Sequence, residues 1–165
     1  MLIRLLTSMD TSAYATLMRL GLKENAESFR ISAQDAGEPL VPFASAQHPA
    51  FTLGALLEDD DLVGTVSFER ETRVKLRHKG LIYRMYVRTD AAGRGIGRQL
   101  IQAAVVRASQ IDGLEQINLT VVASNARAKH LYASEGFVSF ALEKRGLKMG
   151  AHYADEEQMV LRLRK

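Results

Sequence analysis

The residues best suited to chemistry form a glycine-rich turn, Gly93-Arg94-Gly95-Ile96-Gly97, between a predicted strand and a predicted helix. The first turn of a helix presents unpaired backbone N–H groups and the positive end of its dipole, so phosphate groups bind there readily. Three glycines in five residues let the backbone approach a phosphate without side-chain obstruction. Arg94 and Arg98 add positive charge at the same place. The turn therefore predicts a phosphate site, and an ordinary strand-to-helix turn with packing glycines is the alternative.

Two common nucleotide-binding motifs do not fit this turn. A Rossmann fingerprint that starts at Gly93 and Gly95 needs a third glycine at position 98, which is Arg98. The fingerprint also usually opens the first strand–helix unit of its domain, whereas this turn follows four predicted strands. A P-loop needs Gly-Lys followed by Ser or Thr, and the chain has no such run. The phosphate ligand is therefore of another kind.

Two segments resemble conserved blocks of the GNAT superfamily of N-acyltransferases. Residues 87–100, VRTDAAGRGIGRQL, resemble its acyl-CoA pyrophosphate loop, except that Ala92 stands where the family usually has Gln or Arg. Residues 119–137, LTVVASNARAKHLYASEGF, resemble its second block, with matches at Val121 (or Val122), Asn125, Ala128, Leu131, Tyr132, Gly136 and Phe137. Two blocks in the right order and spacing are more specific than either alone. The resemblance covers the chain except for residues 23–50.

The resemblance implies that acetyl-CoA is the co-substrate and a primary amine the acceptor. It places the pyrophosphate on Gly93, Arg94, Gly95, Ile96, Gly97 and Arg98, and the pantetheine arm and the oxyanion on Met85, Tyr86 and Val87. Asn125 would pair with the pantetheine amides, although its position also suits a helix N-cap. Tyr132 would protonate the departing thiolate as a general acid, although a half-buried core tyrosine is the alternative.

The composition points to direct attack of the amine on the thioester. The chain has no cysteine, so a cysteinyl acyl-enzyme, a disulfide and a thiolate metal site are all excluded. It also lacks the G-x-S-x-G elbow of serine hydrolases. The enzyme would then act by proximity and by stabilising the oxyanion with backbone donors. A base is expected, and the sequence leaves three candidates open: Glu69, His78 and Tyr83.

Other charged residues near these motifs have simpler interpretations. His130 is expected to face solvent beside Tyr132. Asp155-Glu156 could meet a cationic acceptor, but we interpret the pair as part of a solvated turn. Lys144, Arg145 and Lys148 are compatible with an anionic acceptor or with CoA phosphates. The identity of the acceptor stays open.

The sequence leaves two further classes of function open. A non-catalytic acyl-CoA-binding or regulatory module on the same fold gains some support from Ala92, but Asn125 and Tyr132 are both present. A nucleic-acid-binding domain would use the basic residues Arg94, Arg98, Arg107 and Lys129. Only 7% of the residues are aromatic, however, and the net charge is only +3, so the chain lacks the aromatic platforms and the concentrated basic face of such domains.

The bulk properties fit one cytoplasmic domain over residues 1–165. The length, the 47% hydrophobic residues and the 25% charged residues are ordinary for a single globular domain. The first twelve residues alternate apolar and polar side chains and do not resemble a signal peptide. No window approaches the roughly 18 apolar residues of a membrane span. We therefore expect no membrane association.

The hydrophobic pattern predicts the elements that position the motifs. Strands are predicted at 2–6, 51–58, 62–69, 81–87, 116–122, 137–142 and 158–163. Helices are predicted at 11–22, with Asp10 as its cap, from the glycine turn to about 112, and at 126–135; a helical turn is predicted at 24–29. Glu58-Asp59-Asp60-Asp61 reads as a hairpin turn, 70–80 as a loop, and 143–154 as part of a polar loop. Residues 23–50 are interrupted by Gly37, Pro39, Pro42 and Pro49.

These elements predict a mixed, mostly antiparallel α/β sheet of about seven strands with helices on both faces. The strands at 81–87 and 116–122 are joined through a helix, so they should be parallel neighbours at the centre. The resemblance implies the GNAT fold. The final strand could join the sheet of a second copy in a homodimer.

Overall fold

The computed structural model describes residues 1–32, 35 and 49–163. The predicted breaks at Gly37, Pro39 and Pro42 lie outside these residues. The strands are β1 Leu2–Leu5, β2 Ala50–Leu56, β3 Leu62–Arg70, β4 Lys79–Val87, β5 Gln116–Val122, β6 Val138–Met149 and β7 His152–Arg162. The helices are α1 Thr11–Glu24, α2 Ile96–Ser109 and α3 Ala126–Ser134, and a 3-10 turn covers Ala26–Ser28.

The seven strands form one sheet in the order β1-β2-β3-β4-β5-β7-β6. All neighbours are antiparallel except β4 and β5, which are parallel. The predicted mixed sheet with a central parallel pair is therefore confirmed. β4 and β5 are parallel because a glycine turn and a 14-residue helix connect them, and this connection returns the chain to the end of the sheet where β4 began.

The two faces of the sheet carry separate hydrophobic clusters. On one face α1 buries Tyr14, Leu17, Met18 and Leu22, as its apolar spacing predicts. On the other face α2 buries Ile96, Leu100, Ile101, Ala104 and Ala108 beside Tyr132 of α3. Neighbouring strand residues divide between the clusters: Ala55 belongs to the α2 cluster and Leu56 to the α1 cluster. The helices therefore cover both faces, as predicted.

The parallel pairing of β4 with β5 is short. The two strands pair only from Lys79 with Gln116 to Leu81 with Asn118. Beyond that point β5 continues against β7, with Val122 opposite Glu156. β4 continues against β3 and is irregular near Arg84, a non-glycine residue with φ +50. The carboxyl ends of the two central strands are therefore not paired with each other, and a gap opens between them.

The last hairpin differs from the prediction of a polar loop over 143–154. β6 and β7 pair almost to a tight turn at Gly150, whose φ is +61. Two extra residues of β6 are accommodated between Glu143 and Leu147. Asp155 accepts hydrogen bonds from the Lys144 side chain and from the backbone N–H of Arg145, both at 2.8 Å. The polar composition of residues 143–149 predicted a loop because β6 is an exposed edge strand. Its backbone pairs with β7, but its side chains show no apolar alternation that would indicate a strand.

Three smaller expectations are also corrected. Asp10 does not cap α1 through its side chain; its carboxylate accepts hydrogen bonds from Arg4 and from the backbone of Thr7. Asp155-Glu156 belongs to β7 rather than to a solvated turn, and Glu156 is only 1% exposed. The final strand β7 cannot join the sheet of a second copy, because β5 and β6 occupy its two edges.

Among the described residues, none of the helices has both the length and the apolar composition needed to span a membrane.

Candidate functional site

A cleft of about 660 Å³ opens where β4 and β5 separate. Its floor includes Met85, Tyr86 and Val87 of β4 and Val122 at the end of β5. The start of α2 and the exposed side of α3 form two walls, and the 3-10 turn after α1 forms another. Because the cleft lies at the carboxyl ends of the two parallel strands, it occupies the usual ligand position in sheets with parallel strands.

The glycine turn forms the α2 wall. Gly93 and Gly95 have φ values of +82 and +76, which L side chains adopt only with strain. A Cβ at Gly93 would meet no atom of the described residues within 4 Å, so backbone conformation rather than crowding requires glycine there. Gly95 is the N-cap of α2 and, being glycine, offers no side-chain oxygen to cap the helix. The first N–H groups of α2 are therefore available to an anion beside the cleft.

Gly97 has a different requirement from the two glycines before it. It lies in the first turn of α2 and lines the cleft. A Cβ at this position would be 3.3 Å from Met85 Cε and 3.4 Å from Leu131 Cδ2. These distances are tight for a side-chain contact, so glycine lets α2 pack closely between β4 and α3.

The two arginines of the turn differ in their surroundings. Arg94 is exposed and is not among the residues that line the cleft. Arg98 lines the cleft, but its guanidinium contacts Glu135 at 2.9 Å and donates to Ser134 Oγ at 3.1 Å. Glu135 therefore offsets part of the positive charge that the sequence places at this turn. The backbone N–H groups of α2 are the more available anion donors.

The β4 segment contributes mainly its backbone. The Tyr86 side chain is buried on the α1 face, where its hydroxyl donates to Glu24 Oε2 at 3.1 Å. Burial, together with the neighbouring Glu24 carboxylate, raises the pKa of Tyr86 to about 12. Thr89 also donates to Glu24, at 2.8 Å. Tyr86 is therefore committed to holding the end of α1 against β4, and Met85–Val87 offer the cleft their unpaired edge.

Asn125 has two partners at the start of α3. Its Oδ1 accepts from the backbone N–H of Ala128 at 3.1 Å, which is the expected N-cap contact. Its Nδ2 donates to Ser28 Oγ at 3.2 Å, which ties α3 to the 3-10 turn after α1. Both residues line the cleft. In the Asn125 amide, Oδ1 therefore caps α3, and Nδ2 is directed across the cleft.

Tyr132 lies on α3 and lines the cleft with only 8% of its surface exposed. Its ring meets Phe137 edge-on, with 6.0 Å between the centroids. Burial raises the pKa of its hydroxyl to about 12, so the group is protonated at neutral pH. Within the described residues, no hydrogen bond occupies this hydroxyl. Tyr132 thus presents a protonated hydroxyl on a ring that packing holds in place.

The three base candidates are not among the residues that line the cleft. His78 precedes β4, at the end of the sheet away from the cleft, where its carbonyl accepts from the backbone of Glu115 and Gln116. Glu69 and Tyr83 lie on neighbouring strands; burial, with the Glu69 carboxylate as a second cause, raises the pKa of Tyr83 above its usual range. His130 is exposed, as expected, but lines the cleft.

Several lining residues were not found from the sequence. Asn25, Glu27, Ser28 and Phe29 come from the turn after α1, and Arg127 comes from the first turn of α3. The first group lies almost 100 positions before Asn125 and belongs to no motif, so no local signal indicates it. Arg127 lies two residues after Asn125, and its cationic side chain beside that motif could have indicated that it lines the cleft.

Comparisons with known proteins agree with this architecture. The family model described as acetyltransferase (GNAT) family matches residues 17–137. A GNAT acetyltransferase from Streptococcus pneumoniae has 23% identity and a TM-score of 0.82, with 98% of this chain and 99% of that chain covered. The protein yncA from Salmonella typhimurium, solved with its cofactor acetyl-CoA, has 19% identity and a TM-score of 0.81, with 100% and 95% covered. At these identities the structural likeness establishes the fold.

One curated relative matches over a short segment. The mycothiol acetyltransferase of Propionibacterium freudenreichii subsp. shermanii is 36% identical over 61 residues, which are 37% of this chain and 19% of that protein. The chain therefore matches about a fifth of the length of this relative. The family model, in contrast, spans more than two thirds of the chain and includes both motif blocks. The chain belongs to the GNAT family of acetyltransferases, which use acetyl-CoA, as its two motifs predicted.

Proposed function

We propose that this cleft transfers an acetyl group from acetyl-CoA to a primary amine by direct attack. The observation that supports this best is the convergence of three groups on one cleft: the uncapped start of α2, the unpaired edge of Met85–Val87 and the buried hydroxyl of Tyr132. They correspond to the three parts of the donor, namely the pyrophosphate, the pantetheine arm and the thioester sulfur. The cleft volume of about 660 Å³ is within the usual range for a cofactor site.

In this mechanism the pyrophosphate binds the N–H groups at the start of α2, with Gly93, Gly95, Ile96, Gly97 and Arg98 around it. Arg94, which does not line the cleft, would act only through its charge. The pantetheine arm lies along the open edge of β4, where it replaces the missing β5 partner. Asn125 Nδ2 would exchange its contact with Ser28 for a contact with the arm.

The acetyl transfer then needs few protein groups. A neutral amine attacks the thioester carbonyl, and a backbone N–H of β4 stabilises the oxyanion. When the C–S bond breaks, Tyr132 gives its proton to the CoA thiolate, the attacking nitrogen releases its own proton to solvent, and solvent reprotonates Tyr132. The hydroxyl is protonated at neutral pH, so its proton is available when the thiolate forms. Holding the amine beside the thioester supplies the rest of the rate gain through proximity.

The experiment for this proposal is a thermal-shift assay with acetyl-CoA, CoA and NAD, followed by assays with primary amines. A ligand that binds only the folded protein stabilises it by about 2.7 kcal/mol at 100 times its dissociation constant. We expect acetyl-CoA and CoA to raise the melting temperature and NAD to leave it unchanged. An equal shift with NAD would contradict the CoA assignment. Acetyl-CoA binding without turnover of any amine would indicate a non-catalytic module instead.

Two finer parts of the proposal concern location and assembly. We propose that the protein works in the cytoplasm, where acetyl-CoA is made available.

We also propose a homodimer through the edge strand β6, because Val138, Phe140 and Leu142 are 64%, 54% and 51% exposed. Edge strands with exposed apolar residues favour association with another chain. Light scattering tests the proposed homodimer. We expect the wild type to be a dimer and Phe140→Glu to be a monomer. A monomeric wild type would contradict the homodimer.

A further inference from the structure

Glu156 is a buried carboxylate with an unusual environment. It lies on β7 between Val122 of β5 and Glu143 of β6, and 1% of its surface is exposed. Neither of its oxygens accepts a hydrogen bond within the described residues. A buried charge without hydrogen bonds is costly, so a fold rarely retains one without a compensating partner. The carboxylate therefore needs a cation.

Among the residues that the structure describes, Arg30 is the counter-ion of Glu156. Arg30 Nε lies 2.9 Å from Glu156 Oε1, in an ion pair that lacks hydrogen-bond geometry. The Arg30 side chain is 61% exposed, whereas that of Glu156 is 1% exposed. A mostly solvated arginine can turn into water at small cost, because its charge stays hydrated there. Glu156 is fixed by its strand, so Arg30 is the exchangeable partner of the pair.

Glu156 lies one strand away from the cleft. Its antiparallel partner Val122 lines the cleft, and Cα atoms of such partners are about 4.5–5.5 Å apart. Phe29, which precedes Arg30 in the chain, also lines the cleft. Glu156 itself is not among the lining residues. A group that displaces Arg30 would therefore bind beside the cleft and not at its centre.

The β6 backbone encloses Glu156 on one side, and the segment after α1 supplies its counter-ion. A Cβ at Gly146 would lie 2.9 Å from Glu156 Oε2 and 3.0 Å from its Cγ, so the β6 backbone covers the carboxylate closely. The next residue, Glu157, is directed to the other face of the sheet, where it contacts Lys129 of α3 at 2.6 Å. Glu156 is thus directed to the face that carries α1, and the segment after α1 supplies Arg30.

We propose that Glu156 binds a second cationic group of the acceptor, which takes the place of Arg30. This inference rests on the proposed acetyltransferase function. The nitrogen that attacks the thioester must be uncharged and must lie in the cleft beside Tyr132. A cation held on Glu156, outside the cleft lining, is therefore a different group of the same molecule. The acceptor class is consequently an amine with a second basic group, such as a diamine.

A rescue experiment tests the cation site without any acceptor turnover. Arg30→Ala leaves the buried carboxylate without its counter-ion, so its melting temperature should fall. Millimolar methylguanidinium, which reproduces the head group of Arg30, should raise the melting temperature of Arg30→Ala more than that of the wild type. The double variant Arg30→Ala/Glu156→Gln should show no such extra rise, and methylurea, which resembles methylguanidinium but carries no charge, should not rescue. Equal shifts in all proteins would overturn the cation site.

A second experiment compares diamines with monoamines of the same length. We expect the wild type to acetylate putrescine and cadaverine with a kcat/KM roughly tenfold or more above that for n-butylamine and n-pentylamine, since a charge-assisted hydrogen bond is lost in the monoamines. Glu156→Gln should remove this preference through the KM for the diamine. Glu157→Gln, the adjacent carboxylate on the opposite face, is the matched control and should retain the preference.

The outcomes of this comparison separate the two proposals. A preference for diamines that survives in Glu156→Gln overturns the role of Glu156 and leaves the acetyltransferase proposal intact. A wild type that binds acetyl-CoA in the thermal-shift assay but acetylates neither diamine overturns the acceptor class. A wild type that does not bind acetyl-CoA overturns the proposed function itself, and a positive rescue of Arg30→Ala would then still identify the cation site.

Discussion

The Asn125 side chain donates from Nδ2 to the Ser28 hydroxyl at 3.2 Å, across 97 positions of sequence. The same side chain accepts the Ala128 N–H through Oδ1 and so caps α3. Two elements that are far apart in the chain therefore meet at one amide on the wall of the cleft. The capping role and the ligand role of Asn125 use different atoms, and they can be separated by mutation.

Asn125→Asp should separate capping from ligand binding. Aspartate caps a helix about as well as asparagine, so the free energy of unfolding should stay close to that of the wild type. The Nδ2 donor is lost, so acetyl-CoA should bind more weakly. Asn125→Ala loses both atoms and should also lose about 0.5–2 kcal/mol of stability. Urea unfolding and acetyl-CoA titration of both variants measure these effects; unchanged affinity in Asn125→Asp would restrict Asn125 to capping.

Gly95→Val should impair acetyl-CoA binding beyond its cost in stability. The variant places a branched side chain at φ +76 and in front of the first N–H groups of α2. Gly150→Val is the matched control, because Gly150 has φ +61 and no neighbour within 4 Å of a Cβ, but lies in the β6–β7 turn. Each should lose about 1–2 kcal/mol of stability from the left-handed conformation.

Only Gly95→Val should lose affinity for acetyl-CoA in calorimetric titration, because only there does the new side chain obstruct the anion site. Equal affinities in the two variants, after correction for any unfolded fraction, would mean that the pyrophosphate does not bind at the start of α2.

Tyr132→Phe should lower kcat by about 10²–10⁴ and leave the dissociation constant of acetyl-CoA nearly unchanged. The ring packing against Phe137 is retained, and within the described residues the hydroxyl has no hydrogen bond to lose. Tyr14→Phe is the matched control, since the Tyr14 hydroxyl is also buried, has no hydrogen-bond partner in the described part of the chain, and lies on α1. Its removal should leave kcat unchanged and stability equal or slightly higher. Equal kcat values for wild type and Tyr132→Phe would remove Tyr132 from the mechanism.

Asp10→Asn should destabilise the protein in a pH-dependent way. The hydrogen bonds from Arg4, together with those from Thr7, lower the pKa of Asp10 from 3.8 to about 2 in the folded protein. A lowered folded pKa means that the carboxylate contributes stability above the unfolded pKa and loses it as the pH falls through the folded pKa. The difference in unfolding free energy between wild type and variant should therefore be full at pH 7. It should shrink between about pH 4 and pH 2. Urea unfolding across this range checks it, and a difference independent of pH would contradict the assignment.

The sequence alone determined the features that depend on neighbouring residues. The spacing of Ile96, Leu100 and Ala104 predicted α2, and the glycines before it predicted a turn, which the structure shows with positive φ at Gly93 and Gly95. A strand, a turn, a helix and a strand in that order fixed the central parallel pair, because the connection permits few other arrangements. The two motif blocks then indicated the family, which the family model confirms.

Tertiary structure alone decided how distant segments meet. The end of the β4–β5 pairing at Leu81 depends on what each strand pairs with on its other side. The pairing of Arg98 with Glu135 depends on the packing of α2 against α3. Glu156 looked like part of a charged turn, but the neighbouring strands and Arg30 enclose it. Periodicity and turn chemistry act over a few residues, whereas burial and charge compensation are set by contacts that only the folded chain brings together.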